Sequence, residues 1–314
     1  MLGRFHIIFI KIGVVFLIPI FNRIKDSYRN RLASTKGSAA YWTVHMVVNE
    51  TFSSAESSLR YFHWRNAQYL GCIELMPVTG QDGKIVLDYG CGPGNDIIGF
   101  SLFSKTSKLY GIDVSPTALE AARKRLDLHN KTAEFILVEE KDNRIPLPEN
   151  SVDYIHSSGV LHHCQNIDAI LDELYRILKP GGKMSVMVYN YSSILLHLYV
   201  AYIQQIHYGK YSSSPIEDAF RRLTDGEHCP ISRCYKPEDF VSLVKGHRFQ
   251  GTFEGAAISL TEMKYLEKRF DAMADRRLNE EHRDFLSRIT FNNKGIPIYD
   301  NHVAGIDACY SFTK

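Results

Sequence analysis

Two acids and a run of glycines carry the chemistry that is legible first. Asp88 follows the apolar residues Ile85, Val86 and Leu87 and leads into Tyr89-Gly90-Cys91-Gly92-Pro93-Gly94-Asn95. Asp113 closes a second apolar run, Leu109 to Val114. A carboxylate at the end of a buried strand can accept two O–H or N–H donors at once. The glycines let the chain turn sharply and bring bare backbone against a ligand. Their spacing is G-x-G-x-G, not the G-x-G-x-x-G of a nicotinamide or flavin fold. Three histidines could move a proton: His162 and His163, which end Ser-Gly-Val-Leu-His-His (158–163), and His228 in Thr-Asp-Gly-Glu-His-Cys-Pro (224–230). An unperturbed imidazole pKa of ~6.5 suits a base at neutral pH. Packing or capping the loop is the competing role for one of the 162–163 pair. His162, His163 and Cys164 adjoin, as do His228, Cys229 and Cys234, but neither set has the paired spacing of a structural zinc site, so no metal is predicted. Cys91 lies inside the glycine turn, where a small side chain is needed for fit.

Strands alternating with helices must position these groups. The first strand runs from Ile85 and a helix begins near Asn95 or Asp96. A second strand covers Leu109 to Val114. Ser115 is a natural cap and Pro116 a natural first residue for a helix to about His129. Phe135–Val138 and Val152–Ser157 read as strands three and four, separated by a polar loop. Ile167, Ile170, Leu171, Leu174, Ile177 and Leu178 form one apolar stripe on a helix stopped by Pro180-Gly181-Gly182. Met184–Tyr189 is the fifth strand. The alternation predicts right-handed crossovers and a parallel sheet with helices on both faces. Ligands of such sheets bind at the carboxyl ends of the strands.

Upstream, a helix is predicted from Ser57 or Ser58 to about Met76, ended by Pro77. Downstream, Ile194–Ile206 is an apolar helix followed by a Ser-rich region to about Cys234, where a lid or acceptor pocket would sit. Pro237 opens another helix. Phe249–Ser259 and Val303–Phe312 are the last strands, with a charged helical stretch, about Thr261 to Ile289, between them.

The 314 residues, 45% hydrophobic and 23% charged, suit one large α/β domain with insertions or two smaller ones and argue against disorder. A net charge of +2 is too small to predict a nucleic-acid surface. Six cysteines without a C-x-x-C pair read as reduced thiols of a cytoplasmic protein. Ile7 to Phe21 is almost wholly apolar and Arg23, Lys25, Arg29 and Arg31 follow. That run is shorter than a spanning helix, which needs ~20 residues. Two readings of residues 5–31 stay open: a helix packed on the domain or a poorly ordered leader, and a membrane-interface anchor with a basic flank.

Five ordered motifs carry a resemblance: Val-Leu-Asp-Tyr-Gly-Cys-Gly-Pro-Gly (86–94), Tyr-Gly-Ile-Asp-Val-Ser-Pro (110–116), Ile-Pro-Leu-Pro-Glu-Asn-Ser-Val-Asp-Tyr-Ile (145–155), the 158–163 segment, and Leu-Lys-Pro-Gly-Gly (178–182). Together they resemble the class I S-adenosylmethionine-dependent methyltransferases of small-molecule type, over about residues 60–190. The resemblance implies a Rossmann-like, mostly parallel seven-stranded sheet with an α-helical insertion or lid after the fifth strand. It implies S-adenosyl-L-methionine as cofactor, with Asp88 orienting the methionyl amine and Asp113 accepting both ribose hydroxyls. Gly90, Cys91, Gly92, Gly94 and Asn95 of the turn, with Val114 and Ser158, would line the cofactor. The family's adenine-binding acid falls at Lys141 here, which makes Asp142 the nearest substitute; a solvated loop charge is the alternative for it. His163, His162 and His228 are the candidate bases, and Tyr41, Trp42, Tyr89, Tyr189 and Tyr191 could flank the sulfonium or the acceptor.

The organisation expected is an apolar leader and flap (1–57), a cofactor-binding core (58–190), an acceptor-pocket insertion (191–235) and a C-terminal completion of the sheet (236–314). The function expected is methyl transfer to an O or N atom of a small or medium-sized metabolite, sugar-containing or amphiphilic. The alternative is a non-catalytic cofactor- or partner-binding protein of the same fold. No Asn-Pro-Pro-Tyr-like segment of a base methyltransferase is present, and no nucleic-acid partner is expected.

Overall fold

A computed structural model describes residues 37–46 and 51–314. The apolar run from Ile7 to Phe21 and its basic flank lie outside the described residues. Among the described residues no helix is long and apolar enough to cross a membrane.

The apolar runs pair as the alternation requires. β2 (Ile85–Tyr89), β3 (Lys108–Asp113), β4 (Glu134–Leu137), β5 (Val152–Ser158) and β6 (Leu178–Tyr189) are parallel neighbours. β11 (Asp307–Thr313) pairs antiparallel with β6 on one side and with β7 (Gln250–Ser259) on the other. A two-residue strand, β1 (Tyr69–Leu70), adds to the free edge of β7, giving the order β1-β7-β11-β6-β5-β2-β3-β4. The seven strands expected are present, and β1 is an eighth. Helices cover the sheet because their apolar stripes match its buried faces. Ile167, Ile170, Leu171, Leu174 and Ile177 of the Ile167–Ile177 helix join Leu87, Ile155, Val186 and Tyr310 in one core. The Asn95–Phe103 helix buries Ile97, Ile98 and Phe100 in another, with Val86 and Tyr154.

Local signals set the boundaries. The helix Pro116–Asp127 starts where expected: Ser115 Oγ accepts from the Ala118 N–H, and Pro116 fills the first turn. Elsewhere the chain departs from the reading. The helix expected to reach Met76 stops at Ala67, because Gly71 turns with φ 92° and permits the β1 step before a short helix, Cys72–Leu75. Residues 195–207 form a π-helix, not an α-helix. The Ser-rich region holds a helix, Ile216–Thr224. The charged stretch 261–289 is broken into Leu260–Tyr265, a 3-10 turn, Arg269–Ala274 and Glu280–Arg288. The last strand begins at Asp307, not Val303. His302–Val303 (β10) instead joins Pro297–Tyr299 (β9) and Thr290–Phe291 (β8) in a small sheet of its own.

The strand directions put one rim of the sheet to use. The carboxyl ends of β2, β3, β5, β6 and β7 meet the start of β11, which runs the other way. Asp88, Asp113, Ser158, Tyr189, Asp307 and Ser259 therefore share one edge.

Candidate active site

A cleft of about 610 Å³ opens along that rim. Its floor is the glycine turn. Gly90 and Cys91 donate their N–H groups to the Ile112 carbonyl at 2.8 and 2.9 Å, locking the turn to β3. Gly90 has φ 75°, and a Cβ there would come within 2.3 Å of Val160. Gly92 (φ 52°) is the opposite case, since a Cβ built on it meets nothing within 4 Å. The open side of Gly92 is a cradle in which backbone can touch a ligand.

Asp113 is fixed by two backbone donors, the N–H of Gly92 at 2.8 Å on one oxygen and the N–H of Ser115 at 2.8 Å on the other. Burial raises its pKa, and these bonds oppose that rise. Ser115 holds the helix cap, so the carboxylate keeps further lone pairs for the cleft. Asp88 is 2% exposed, and among the described residues nothing hydrogen-bonds to its carboxylate. Burial pushes it up to about 7, against the pull of His156. Below it, Asp96 is held well under the usual carboxylate range. Burial opposes this, but the Arg65 guanidinium at 3.6 Å and His156 at 3.5 Å prevail. Asn95 Oδ1 accepts from Arg125 Nη1 at 3.3 Å, which leaves its buried Nδ2 without a partner among the described residues. An unpaired buried carboxylate, an unpaired amide N–H, a pinned carboxylate and a glycine cradle fit a ligand carrying an ammonium, a carboxylate and a diol.

The third wall comes from residues 158–163 and 225. Ser158, at the end of β5, and Val114, after β3, both line the cleft. His163 Nδ1–H donates to the Ile231 carbonyl at 2.7 Å; a carbonyl only accepts, which assigns the proton to Nδ1. Nε2 then carries the lone pair, 3.5 Å from Asp225 Oδ1. Burial lowers the His163 pKa and Asp225 opposes that, so the ring is neutral at pH 7 beside a carboxylate that would steady its protonated form. Asp225 itself accepts from the Tyr189 and Thr224 hydroxyls, each at 2.8 Å. His163, Asp225 and Cys229 also bring possible ligand atoms within 4.8 Å of one another. The Cys229 thiol there donates to the Ile231 carbonyl, and burial pushes its pKa up to about 12.

Two candidate bases lie away from the cleft lining. His162 is wholly buried, stacked at 3.9 Å on Tyr189, and does not line the cleft. Burial drives its pKa well down, the mark of a packed, neutral ring. His228 does not line the cleft either; Asp225, three residues before it, takes that place. Asp142 does line the cleft, but it is exposed, and its carboxylate accepts from the Arg144 N–H at 3.2 Å. Of the aromatic candidates, Trp42, Tyr89 and Tyr189 are in the wall, whereas Tyr41 and Tyr191 are not.

A short helix, Ser38–Val44, contributes Ser38, Ala39 and Trp42 to the cleft wall. Glu140 accepts from the N–H groups of Ser38 and Ala39 at 3.2 and 3.0 Å. The Tyr41 hydroxyl donates to the Asp225 carbonyl, and Trp42 rests 4.7 Å from the His163 ring.

Residues 87–186 match a family model described as a methyltransferase domain. This segment is a class I S-adenosylmethionine-dependent methyltransferase domain. Its cofactor is S-adenosylmethionine. An uncharacterized methyltransferase of Schizosaccharomyces pombe is 32% identical over 129 residues, which is 38% of this chain and 44% of that protein. A demethylmenaquinone methyltransferase of Oceanobacillus iheyensis is 32% identical over 143 residues, 45% of this chain and 59% of that one. The chain thus spans about half the length of these two relatives. A solved S-adenosylmethionine dependent methyltransferase from Mesorhizobium loti superposes with a TM-score of 0.46 at 16% identity, covering 78% of this chain and 97% of that one.

Asp225 and Asp307 also line the cleft, and neither is among the residues that the sequence singles out. Asp225 stands in the same Thr-Asp-Gly turn as the candidate His228. Asp307 begins an apolar strand as Asp88 and Asp113 end theirs, and because that strand runs backwards, its first residue reaches the rim.

Proposed function

We propose that the chain transfers the methyl group of S-adenosylmethionine to an O or N nucleophile of a small or medium-sized metabolite held beneath residues 190–235. When bound, the cofactor supplies a methyl carbon already activated by its sulfonium, so the protein has mainly to position the acceptor and remove a proton. Asp88 would hold the methionyl ammonium, the Gly90–Gly94 backbone and Asn95 the carboxylate end, and Asp113 the ribose hydroxyls. Asp142 would reach the adenine edge from the solvent side. His163 Nε2 would take the acceptor's proton, with Asp225 stabilising the imidazolium formed.

The observation that carries this reading is Asp113. It is pinned by two backbone N–H groups beside an open glycine cradle, on the same cleft as a neutral, lone-pair-bearing His163. Two measurements test it. Asp113→Ala should weaken S-adenosylhomocysteine binding at least tenfold by calorimetry; unchanged affinity removes that assignment. Release of S-adenosylhomocysteine across a mixed panel of alcohols, phenols and amines should be seen with the native chain. It should fall at least tenfold in His163→Ala while cofactor affinity holds, whereas undiminished release would move the base elsewhere.

A further inference from the structure

One end of the cleft has a charge the cofactor does not answer. Asp307 lines the cleft, is 4% exposed, and receives no hydrogen bond or ion pair on its carboxylate among the described residues. Asp88 has the same signature, and the methionyl ammonium is its natural partner. The two are separate sites. Asp88 is on β2 and Asp307 on β11, with β5 and β6 between them. Three interstrand steps amount to roughly 14 Å, too far for one ammonium to serve both.

The groups around Asp307 are committed elsewhere. Arg65, whose charge partly offsets the burial of Asp307, forms its ion pair with Asp96 at 3.6 Å. Glu262 adds a second buried acid, but it is satisfied by the Ser259 N–H and hydroxyl and by the backbone N–H of Leu195 and Ile306. Tyr189 is the cross-strand partner of Asp307, and its hydroxyl donates to Asp225. Tyr69 lies at the edge of β7, paired with Ser259, and also lines the cleft. A buried carboxylate whose charge is felt by two cleft-lining tyrosines, Tyr69 and Tyr189, suits a cationic nitrogen, through one charge-assisted bond and the aromatic rings.

We propose that Asp307, with Tyr69 and Tyr189, anchors a positively charged nitrogen of the methyl acceptor, so that the substrate class is amines. This rests on the methyltransferase reading above and narrows its acceptor. Burial pushes the Asp307 pKa up to about 7, as it should for a carboxylate waiting for its counter-ion.

The test uses the full chain saturated with S-adenosylhomocysteine. Phenethylamine, spermidine and choline are titrated by calorimetry, each against a neutral counterpart of matched shape: phenethyl alcohol, a triol and 3,3-dimethylbutanol. At least one cation should bind tenfold or more tightly than its counterpart, and Asp307→Asn should abolish that preference while S-adenosylhomocysteine affinity stays within twofold. The variant should also melt no lower than the native chain, since it loses a lone buried charge and keeps the shape; a group needed only for folding would lower the melting point. Equal binding of cations and neutral counterparts overturns the proposal, as does a preference that survives in Asp307→Asn. Failure of the native chain to bind S-adenosylhomocysteine would instead bring down the underlying reading, and this proposal with it.

Discussion

The Gly-Cys-Gly turn separates two jobs that glycine does. At Gly90 the missing Cβ makes room for Val160; at Gly92 it makes room for nothing the protein itself supplies. Gly90→Ala should therefore cost the fold about 2–4 kcal/mol in a denaturant titration, from a left-handed backbone plus a clash. Gly92→Ala carries only the backbone penalty, about 1 kcal/mol, yet should weaken S-adenosylhomocysteine binding by more than tenfold. Equal effects of the two on stability would contradict this division. The acids show what a sequence discloses at this scale. Asp88 and Asp113 are visible because each follows a short apolar run that can only be a buried strand. Asp307 obeys the same rule in mirror image, but with strand direction unknown, the first residue of a strand does not announce which rim it reaches. The histidines mislead because residue type says nothing of burial: His162 and His163 are neighbours, and one is packed while the other faces the cleft.

Among elements, those whose signal is local were legible. The Ile167–Ile177 helix has an unbroken stripe, an Asn166 cap and a clear stop, and it forms as read. The π-helix at 195–207 was not legible, because its start is set from far along the chain. Glu262, 67 residues on, accepts from the Leu195 N–H at 3.1 Å while also capping its own helix through Ser259. The charged stretch 261–289 breaks for a similar reason. Arg269 donates to the carbonyls of Leu286 and Ile289, the end of the Glu280–Arg288 helix, and so folds the segment back on itself. Glu262→Ala would leave several buried N–H groups unpaired and should destabilise the chain by about 3 kcal/mol, read as a lower denaturation midpoint with an unchanged slope. A loss under about 0.5 kcal/mol would mean water replaces the carboxylate.

For the whole molecule, three buried carboxyls stand far above their unfolded values: Asp88 and Asp307 near 7 and Glu262 near 8, all through burial. A raised carboxyl binds a proton in the folded state that the unfolded chain has released. Its contribution is complete below the unfolded pKa and is lost as pH rises through the folded one. Buried histidines such as His162, His163 and His197 have lowered values and act in the opposite sense, but only below ~6.5, where the unfolded chain takes up protons. Between pH 6.5 and 8.5 the carboxyls act without that opposition. The melting temperature of the ligand-free chain should fall across this window, and Asp307→Asn should flatten the slope. A melting temperature that climbs from pH 6.5 to 8.5 would refute the assignment.

The Ser38–Val44 helix bridges the cleft from Glu140 on one bank to Asp225 on the other. On the proposed function, we expect a spent donor to leave only when those tethers part. The time they take does not depend on how nucleophilic the acceptor is. Reactive acceptors should therefore converge on one common ceiling of turnover, while sluggish ones spread out below it according to their own chemistry.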